Sequence, residues 1–249
     1  MKKIILAIFV LLLLPLSVKA DIGYDTSTQS GFGAGTSRTT SLTSGAIANP
    51  LILAAAYEAA VADTVTGCTA NGAAMTKVAS RVGSVNVSKA VSLWYAIPTS
   101  TGSLQTVTCS AGLSITMNVV AASYSGVKQV SPLDSFNSGV AASTSPYTTS
   151  TVVSASNSWV MMVVADSGNE PVASTGVTKR QGTASATAYG DSNTGAPPGA
   201  YSMSWTNAAN DWVGVIASFA PATSGSGSTE LVPVPISGGV ADSGGATSL

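Results

Sequence analysis

Histidine is absent from the 249-residue sequence, and charged residues make up only 8% of it. Because histidine is the commonest general base, its absence excludes a Ser-His-Asp or Cys-His catalytic site. The two cysteines are too few for a four-ligand zinc site without help from carboxylates. A formal net charge of −1 provides no basic surface for nucleic acid. The sequence therefore predicts a protein that is not an enzyme and has no nucleic-acid partner.

The first twenty residues are typical of a bacterial secretory signal peptide. A short positive region precedes an unbroken apolar run from Ile4 to Leu14, and small residues mark a cleavage site between Ala20 and Asp21. The alternative is an uncleaved membrane anchor, but the run is shorter than the roughly 20 residues that span a bilayer. We expect an exported protein, secreted or at the cell surface, with no stable membrane insertion after cleavage.

The two cysteines, Cys68 and Cys109, are expected to form a disulfide, because an exported chain meets an oxidising compartment. Their positions in two alternating segments do not match directly. Cys109 shares a strand face with Val107, whereas Cys68 alternates with Thr66. A β-bulge at Gly67 would bring both sulfur atoms to one face.

The apolar pattern predicts strands rather than helices. Period-two alternation recurs between turn signals, and no segment has a helical apolar stripe opposite charged residues. A helix competes only in the alanine-rich stretch from Leu51 to Val61. We predict an all-β, antiparallel, jelly-roll-like β-sandwich of about ten strands, with little or no helix in the mature chain. The main predicted strands are Leu51–Tyr57, Val91–Ile97, Trp159–Ala165, Tyr201–Thr206 and Trp212–Phe219.

The composition divides the chain into three parts. Residues 1–20 form the signal peptide, residues 21–222 a single β-sandwich domain, and residues 223–249 a flexible Gly/Ser-rich linker and tail. The tail contains a Leu-Val-Pro-Val-Pro-Ile segment at residues 231–236. That segment could instead extend a sheet edge of its own chain or of a neighbour.

Two apolar runs resemble each other. Each is introduced by an asparagine, Asn49 or Asn157, and each ends at an acidic residue, Glu58 or Asp166. The similarity has two explanations, either the two-sheet layout of a sandwich or a duplicated unit.

Short motifs from Tyr24 to Pro221 carry a resemblance to a known group. They are an Asn-led apolar strand, Thr66-Gly-Cys-Thr-Ala-Asn-Gly72, Leu93-Trp-Tyr95 with Pro98, Ser125-Gly-Val127, and a closing Trp212 with Phe219-Ala-Pro221. The chain resembles a functionally uncharacterised group of secreted or phage-associated jelly-roll β-sandwich proteins. The resemblance implies a sandwich fold and export or surface display, and it implies no catalytic residues.

Two features are candidates for ligand contact. Trp94 lies opposite the apolar face of its strand, so it is either an exposed ring suited to stacking on a sugar or a ring covered by a loop. The preferred ligand loop is residues 188–195, where Tyr189, Asp191 and Asn193 combine an aromatic ring with polar groups. The expected ligand is a glycan or another cell-surface molecule.

Carboxylates suggest two further sites. Asp166, Asn169 and Glu170 form an oxygen-rich turn that could contribute to a Ca²⁺ site, although Asn and Gly also favour a plain tight turn. No other cofactor is expected. Glu58 ends an apolar strand, where burial would raise its pKa and suit it to glycan hydrolysis, but a carboxylate facing water is the favoured interpretation.

These observations lead to one main functional prediction with two alternatives. We predict an exported, non-catalytic surface-binding or adhesion module that recognises glycans. The first alternative is a structural subunit of an extracellular or virion assembly, in which homo-oligomers would form. The second is a glycan-active hydrolase that uses paired carboxylates.

Overall fold

Both the alternating and the continuously apolar segments are strands in the computed structural model, which describes residues 21–83, 88–183, 186–208 and 210–223. The predicted all-β, antiparallel class is confirmed, and these residues contain no helix. The predicted signal peptide, including Ala20, and tail residues 224–249 lie outside this part of the chain. Within it the strands are β1 (Gly23–Gln29), β2 (Gly33–Thr43), β3 (Leu51–Glu58), β4 (Val65–Ala70), β5 (Ala73–Ala74), β6 (Thr76–Val82), β7 (Ala90–Ala96), β8 (Leu104–Ser125), β9 (Leu133–Thr144), β10 (Tyr147–Val153), β11 (Trp159–Asp166), β12 (Val172–Ala173), β13 (Thr178–Thr183), β14 (Thr187–Asp191), β15 (Gly199–Thr206) and β16 (Asn210–Phe219).

One pattern of strand pairing occurs twice along the chain. In the first half, strands β6-β7-β3-β8-β1 pair in that order, and β2 and β4 flank the beginning of β8. In the second half, β13-β14-β11-β16-β9 pair in the same way, and β10 and β12 flank β15. The 22-residue β8 thus does the work of β15 and β16 together. Because β8 is continuous, the first half forms a single, nearly closed sheet.

Matching hydrogen bonds reinforce the repeat. Asp25 lies in a bulge of β1 and accepts a hydrogen bond from Ser123 Oγ of β8 at 2.6 Å. Asp134 lies in a bulge of β9 and accepts one from Ser218 Oγ of β16 at 3.1 Å. Each carboxylate also accepts a backbone N–H just beyond the strand that follows. Equivalent contacts in both halves favour the duplicated unit over the two-sheet layout as the source of the sequence similarity.

Three apolar cores separate four layers of strands. The central core lies between the two five-stranded sheets, and the two outer cores lie between each of these sheets and its own flanking strands. Strands β3 and β11 are consequently covered on both faces, and all eight residues of each are buried. This explains their continuous apolar sequence. It also decides the Leu51–Val61 ambiguity, because that stretch forms β3.

The predicted disulfide is confirmed. Cys68 of β4 and Cys109 of β8 are bonded and face the outer core of the first half. The register of β4 shifts between Val65 and Gly67, which is the irregularity that the cysteine positions require.

Removal of this disulfide should weaken the fold. The bond closes a sequence separation of 41 residues, for which the chain-entropy model gives about 4 kcal/mol. We expect the Cys68→Ala/Cys109→Ala variant to lose free energy of unfolding of that order in urea denaturation. Wild-type protein measured with a reducing agent is the control, and unchanged stability of the variant would contradict the expectation.

Candidate functional site

An open polar cavity of about 470 Å³ lies at one end of the central core. It is bordered by the entry to β1, by the turn before β11 and by the loop after β14. The cavity volume falls within the range of about 300–1,000 Å³ that is typical of small-ligand sites. Its lining residues are Asp21, Ile22, Asn157, Trp159, Asn193, Thr194 and Gly195.

Two asparagines shape the rim. Asn157 has a φ of 61° and Asn193 a φ of 56°, both in the left-handed region. Asparagine adopts this region more readily than most residues, so the sequence turns sharply at both points. The adjacent Trp159 contributes the edge of an indole that is 6% exposed, while the ring packs against Tyr124 in the core at 5.8 Å.

Hydrogen bonds fix the rim loop to β11. The backbone N–H of Ala196 donates to Ser158 O at 2.7 Å. Ser192 Oγ donates to Thr194 O at 2.7 Å and accepts from the N–H of Val160 at 3.2 Å. A Cβ at Gly195 would lie 2.8 Å from Asn157 Cα, so this approach requires glycine. The cavity is therefore preformed, which lowers the entropic cost of binding.

A buried ion pair supports the same loop from below. Arg180 donates two hydrogen bonds to Asp191, at 2.8 and 2.9 Å, and a third to Asn193 Oδ1 at 2.6 Å. The guanidinium also lies 4.0 Å from the ring centroid of Tyr24. Since the amide oxygen of Asn193 is occupied by arginine, its Nδ2 group is the part that can donate to a ligand.

The hydroxyl groups around Asp191 are held in their neutral state. Tyr124 donates to Asp191 at 2.7 Å, and the hydroxyls of Tyr124 and Tyr189 lie 2.7 Å apart. Burial, together with the negative charge of Asp191, raises the pKa of both tyrosines well above the usual value. Burial by itself would lower the pKa of Arg180, but the hydrogen bonds and charge of Asp191 outweigh it and raise that pKa. The cluster therefore carries one stable ion pair at neutral pH.

Removing the arginine should expose the cost of the buried carboxylate. The side chains of Arg180 and Asp191 are 14% and 0% exposed, and breaking such a pair typically costs about 3–5 kcal/mol. We expect Arg180→Met to lower the free energy of unfolding by that amount in urea denaturation. The neighbouring pair between Lys179 and Glu170 is more exposed, so Lys179→Met should cost less than about 1 kcal/mol. Equal losses in the two variants would contradict this account.

The structure distributes the predicted ligand residues differently from our expectation. Only Asn193 lines the cavity, whereas Tyr189 and Asp191 are buried beneath it and position the loop. Trp94 is not an exposed stacking ring. It is buried in the outer core of the first half, where its Nε1 donates to Ser92 Oγ at 2.9 Å and Lys77 lies over the ring. Both faces of β7 are covered, so alternation could not identify an outer face.

The predicted calcium turn is a structural turn. Asp166 accepts hydrogen bonds from the N–H of Gly168, from Tyr147 and from Asn207. Glu170 instead pairs with Lys179 of β13 at 2.9 Å, so the carboxylates of the turn do not converge. Among the residues that the structure describes, no cluster of three or more His, Cys, Asp or Glu side chains could hold a metal ion.

Glu58 is buried rather than facing water, contrary to the favoured interpretation. Its Oε2 accepts hydrogen bonds from the backbone N–H and the hydroxyl of Thr64, at 2.7 and 2.5 Å. Burial raises the pKa of Glu58, although these hydrogen bonds partly oppose the shift and the charge of Asp63 adds to it. Glu58 occupies the same place in the first half as Asp166 in the second, which indicates a shared structural role.

The raised pKa of Glu58 predicts a pH dependence of stability. The folded state holds the proton more tightly than the unfolded chain, so its contribution is complete below about pH 4.3 and is lost as pH rises through the folded pKa. Glutamine cannot ionise, and we therefore expect Glu58→Gln to gain stability relative to wild type as pH increases from 4 to 7. Urea denaturation at several pH values measures this difference. A difference that does not change with pH would refute the assignment.

Sequence reasoning missed most of the cavity. Asn157 attracted notice only as the start of an apolar run, and Trp159 only as a core residue. Their proximity to Asn193 depends on the pairing of β11 with β14, in which Met161 lies opposite Asp191. No local pattern indicates a pairing between segments about thirty residues apart.

The chain matches no protein-family model, and searches of curated proteins and of solved structures find no similar protein. None of the described segments is a helix long and apolar enough to cross a membrane. The disulfide between Cys68 and Cys109 is compatible with an extracytoplasmic location.

Proposed function

We propose that the protein is an exported, non-catalytic surface-binding module that recognises glycans through the cavity at Asn157 and Asn193. The preformed combination of a partly accessible indole with carboxylate, amide and hydroxyl groups carries this proposal. Sugars offer both apolar C–H faces and hydroxyl groups, and such a mixed lining suits both.

The charge of the lining indicates the class of glycan. Asp21 is the one formally charged side chain among the lining residues, since Arg180 is engaged with Asp191. A carboxylate at the rim repels acidic sugars and accepts hydrogen bonds from sugar hydroxyls. The proposed ligand is therefore a neutral glycan.

Location supports the same function. The predicted signal peptide would deliver the chain to the secreted or cell-surface compartment, where its disulfide would persist and where glycans are accessible. Asp21 is also the residue at which the mature chain is predicted to begin. Protein for binding assays should therefore be exported by the host and carry any tag at the C-terminus.

Glycan binding can be tested with two rim variants and a matched control. Asn157→Gly and Asn193→Gly remove the amides but keep the left-handed backbone. Each should weaken binding of neutral glycans about tenfold, since a hydrogen bond of about 1.4 kcal/mol corresponds to that factor. A glycan array identifies ligands, and calorimetry with the best binder measures affinity.

Asn49→Gly provides the control. Asn49 has a φ of 49° and precedes β3 as Asn157 precedes β11, but it does not line this cavity. Its replacement should leave glycan affinity unchanged. The absence of any binder on the array, or equal affinity in all four proteins, would overturn the proposal.

A further inference from the structure

The edges of the two central sheets are protected unequally. Strands β6 and β13 each carry two basic residues, which discourage pairing with another chain. Strand β1 is tied to β13 by side chains, because Gln29 donates to Gly182 O at 3.1 Å and Gln181 donates to Ser27 Oγ at 2.9 Å. Strand β9, the counterpart of β1, has no such ties to the adjacent β6 among the described residues.

Strand β9 has the features of an unprotected edge. It is twelve residues long, ends the order of its sheet and pairs with β16 on one side. It contains no lysine, arginine or proline, and its one charged residue, Asp134, is bonded to Ser218 and to the backbone beyond β10. Phe136 of β9 is 54% exposed and borders a groove of about 290 Å³ with Val152, which is 63% exposed.

One hydrogen bond shows which backbone groups point outward. The N–H of Ser138 donates to the side-chain oxygen of Asn137 at 2.8 Å, so β16 does not accept it. Because successive residues of a strand direct their N–H groups to opposite sides, Phe136 and Val140 share the outward direction of Ser138. An unpaired row of this kind accepts an extended polypeptide strand.

We propose that β9 is a dimerisation edge, at which the β9 strands of two copies of this chain pair in antiparallel fashion about a two-fold axis at Ser138. This inference is independent of the proposed glycan site. The sequence of β9 is self-complementary in this register. Phe136 lies opposite Val140 of the second copy, which is a favourable aromatic–β-branched pair. Asn137 lies opposite Gly139, and Asp134 lies opposite Ala142, so the two carboxylates stay apart.

A cysteine at the axis provides the most direct test. The two Cα atoms of a hydrogen-bonded antiparallel pair are about 5.5 Å apart, which is within disulfide range. Ser138→Cys should therefore form a covalent dimer under mild oxidation at least tenfold faster than Ser41→Cys, a control on the exposed face of β2. Native cysteines do not interfere, because Cys68 and Cys109 are bonded to each other. Equal cross-linking rates in the two variants would overturn the proposal.

Two further variants test the edge without a cross-link. Ser138→Pro removes an outward N–H that β16 does not use, and Phe136→Lys places a charge at the pairing face. In sedimentation equilibrium of the full mature chain, each should raise the dimer dissociation constant at least tenfold while circular dichroism and glycan affinity stay unchanged. Wild-type protein that remains monomeric at millimolar concentration would refute the dimer. A dimer that survives both variants but disappears on deletion of residues 224–249 would assign the contact to the tail and equally refute it.

Discussion

The packing of two five-stranded sheets against each other is the constraint on which the rest of the structure depends. Burial of apolar area is the dominant favourable term in folding, and here the central core joins residues from both halves of the chain. The central strands β3, β11 and β16 must therefore be apolar on both faces. Charge is consequently confined to strand ends and edges, which explains how a chain with 8% charged residues forms a defined structure.

The repeat separates structural features from functional ones. The buried strand-end carboxylates Glu58 and Asp166 occur in both halves. An acidic residue paired with a lysine also follows in each, as Asp63 with Lys77 and Glu170 with Lys179. A feature present twice at equivalent positions is explained by the common architecture of the two halves.

The cavity has no such counterpart. By register, Tyr95 of β7 takes the position that Asp191 holds in β14, because each lies opposite the third residue of the equivalent strand, Leu53 or Met161. The first half therefore lacks the carboxylate that binds Arg180 and orients Asn193. A buried ion pair is costly to maintain unless it is well bonded, so its presence in one half is evidence of a specific task. Support of the loop that borders the cavity is that task in the present account.

Local sequence patterns predicted most of the strands but not their arrangement. Alternation at Tyr201–Thr206 and the continuous runs at β3 and β11 gave the correct element type, because burial leaves a local periodic record. Strands β1, β6 and β9 were missed, since edge strands are polar and irregular. The disulfide could be predicted because the two cysteines form a single pair. The cavity could not be predicted, since it arises where β1, β11 and β14 meet and pairing over such distances leaves no local signal.

The central claim is that ligand recognition occurs in the part of the second half that the first half does not match. The most direct measurement is a titration of ¹⁵N-labelled mature protein with a neutral oligosaccharide selected by binding, followed through backbone amide shifts. The account predicts that the largest shifts occur at Asn157 and at Asn193 to Gly195, while Asn49 and its neighbours stay constant. Shifts concentrated on the outer strands, or distributed equally between the equivalent positions of the two halves, would contradict it.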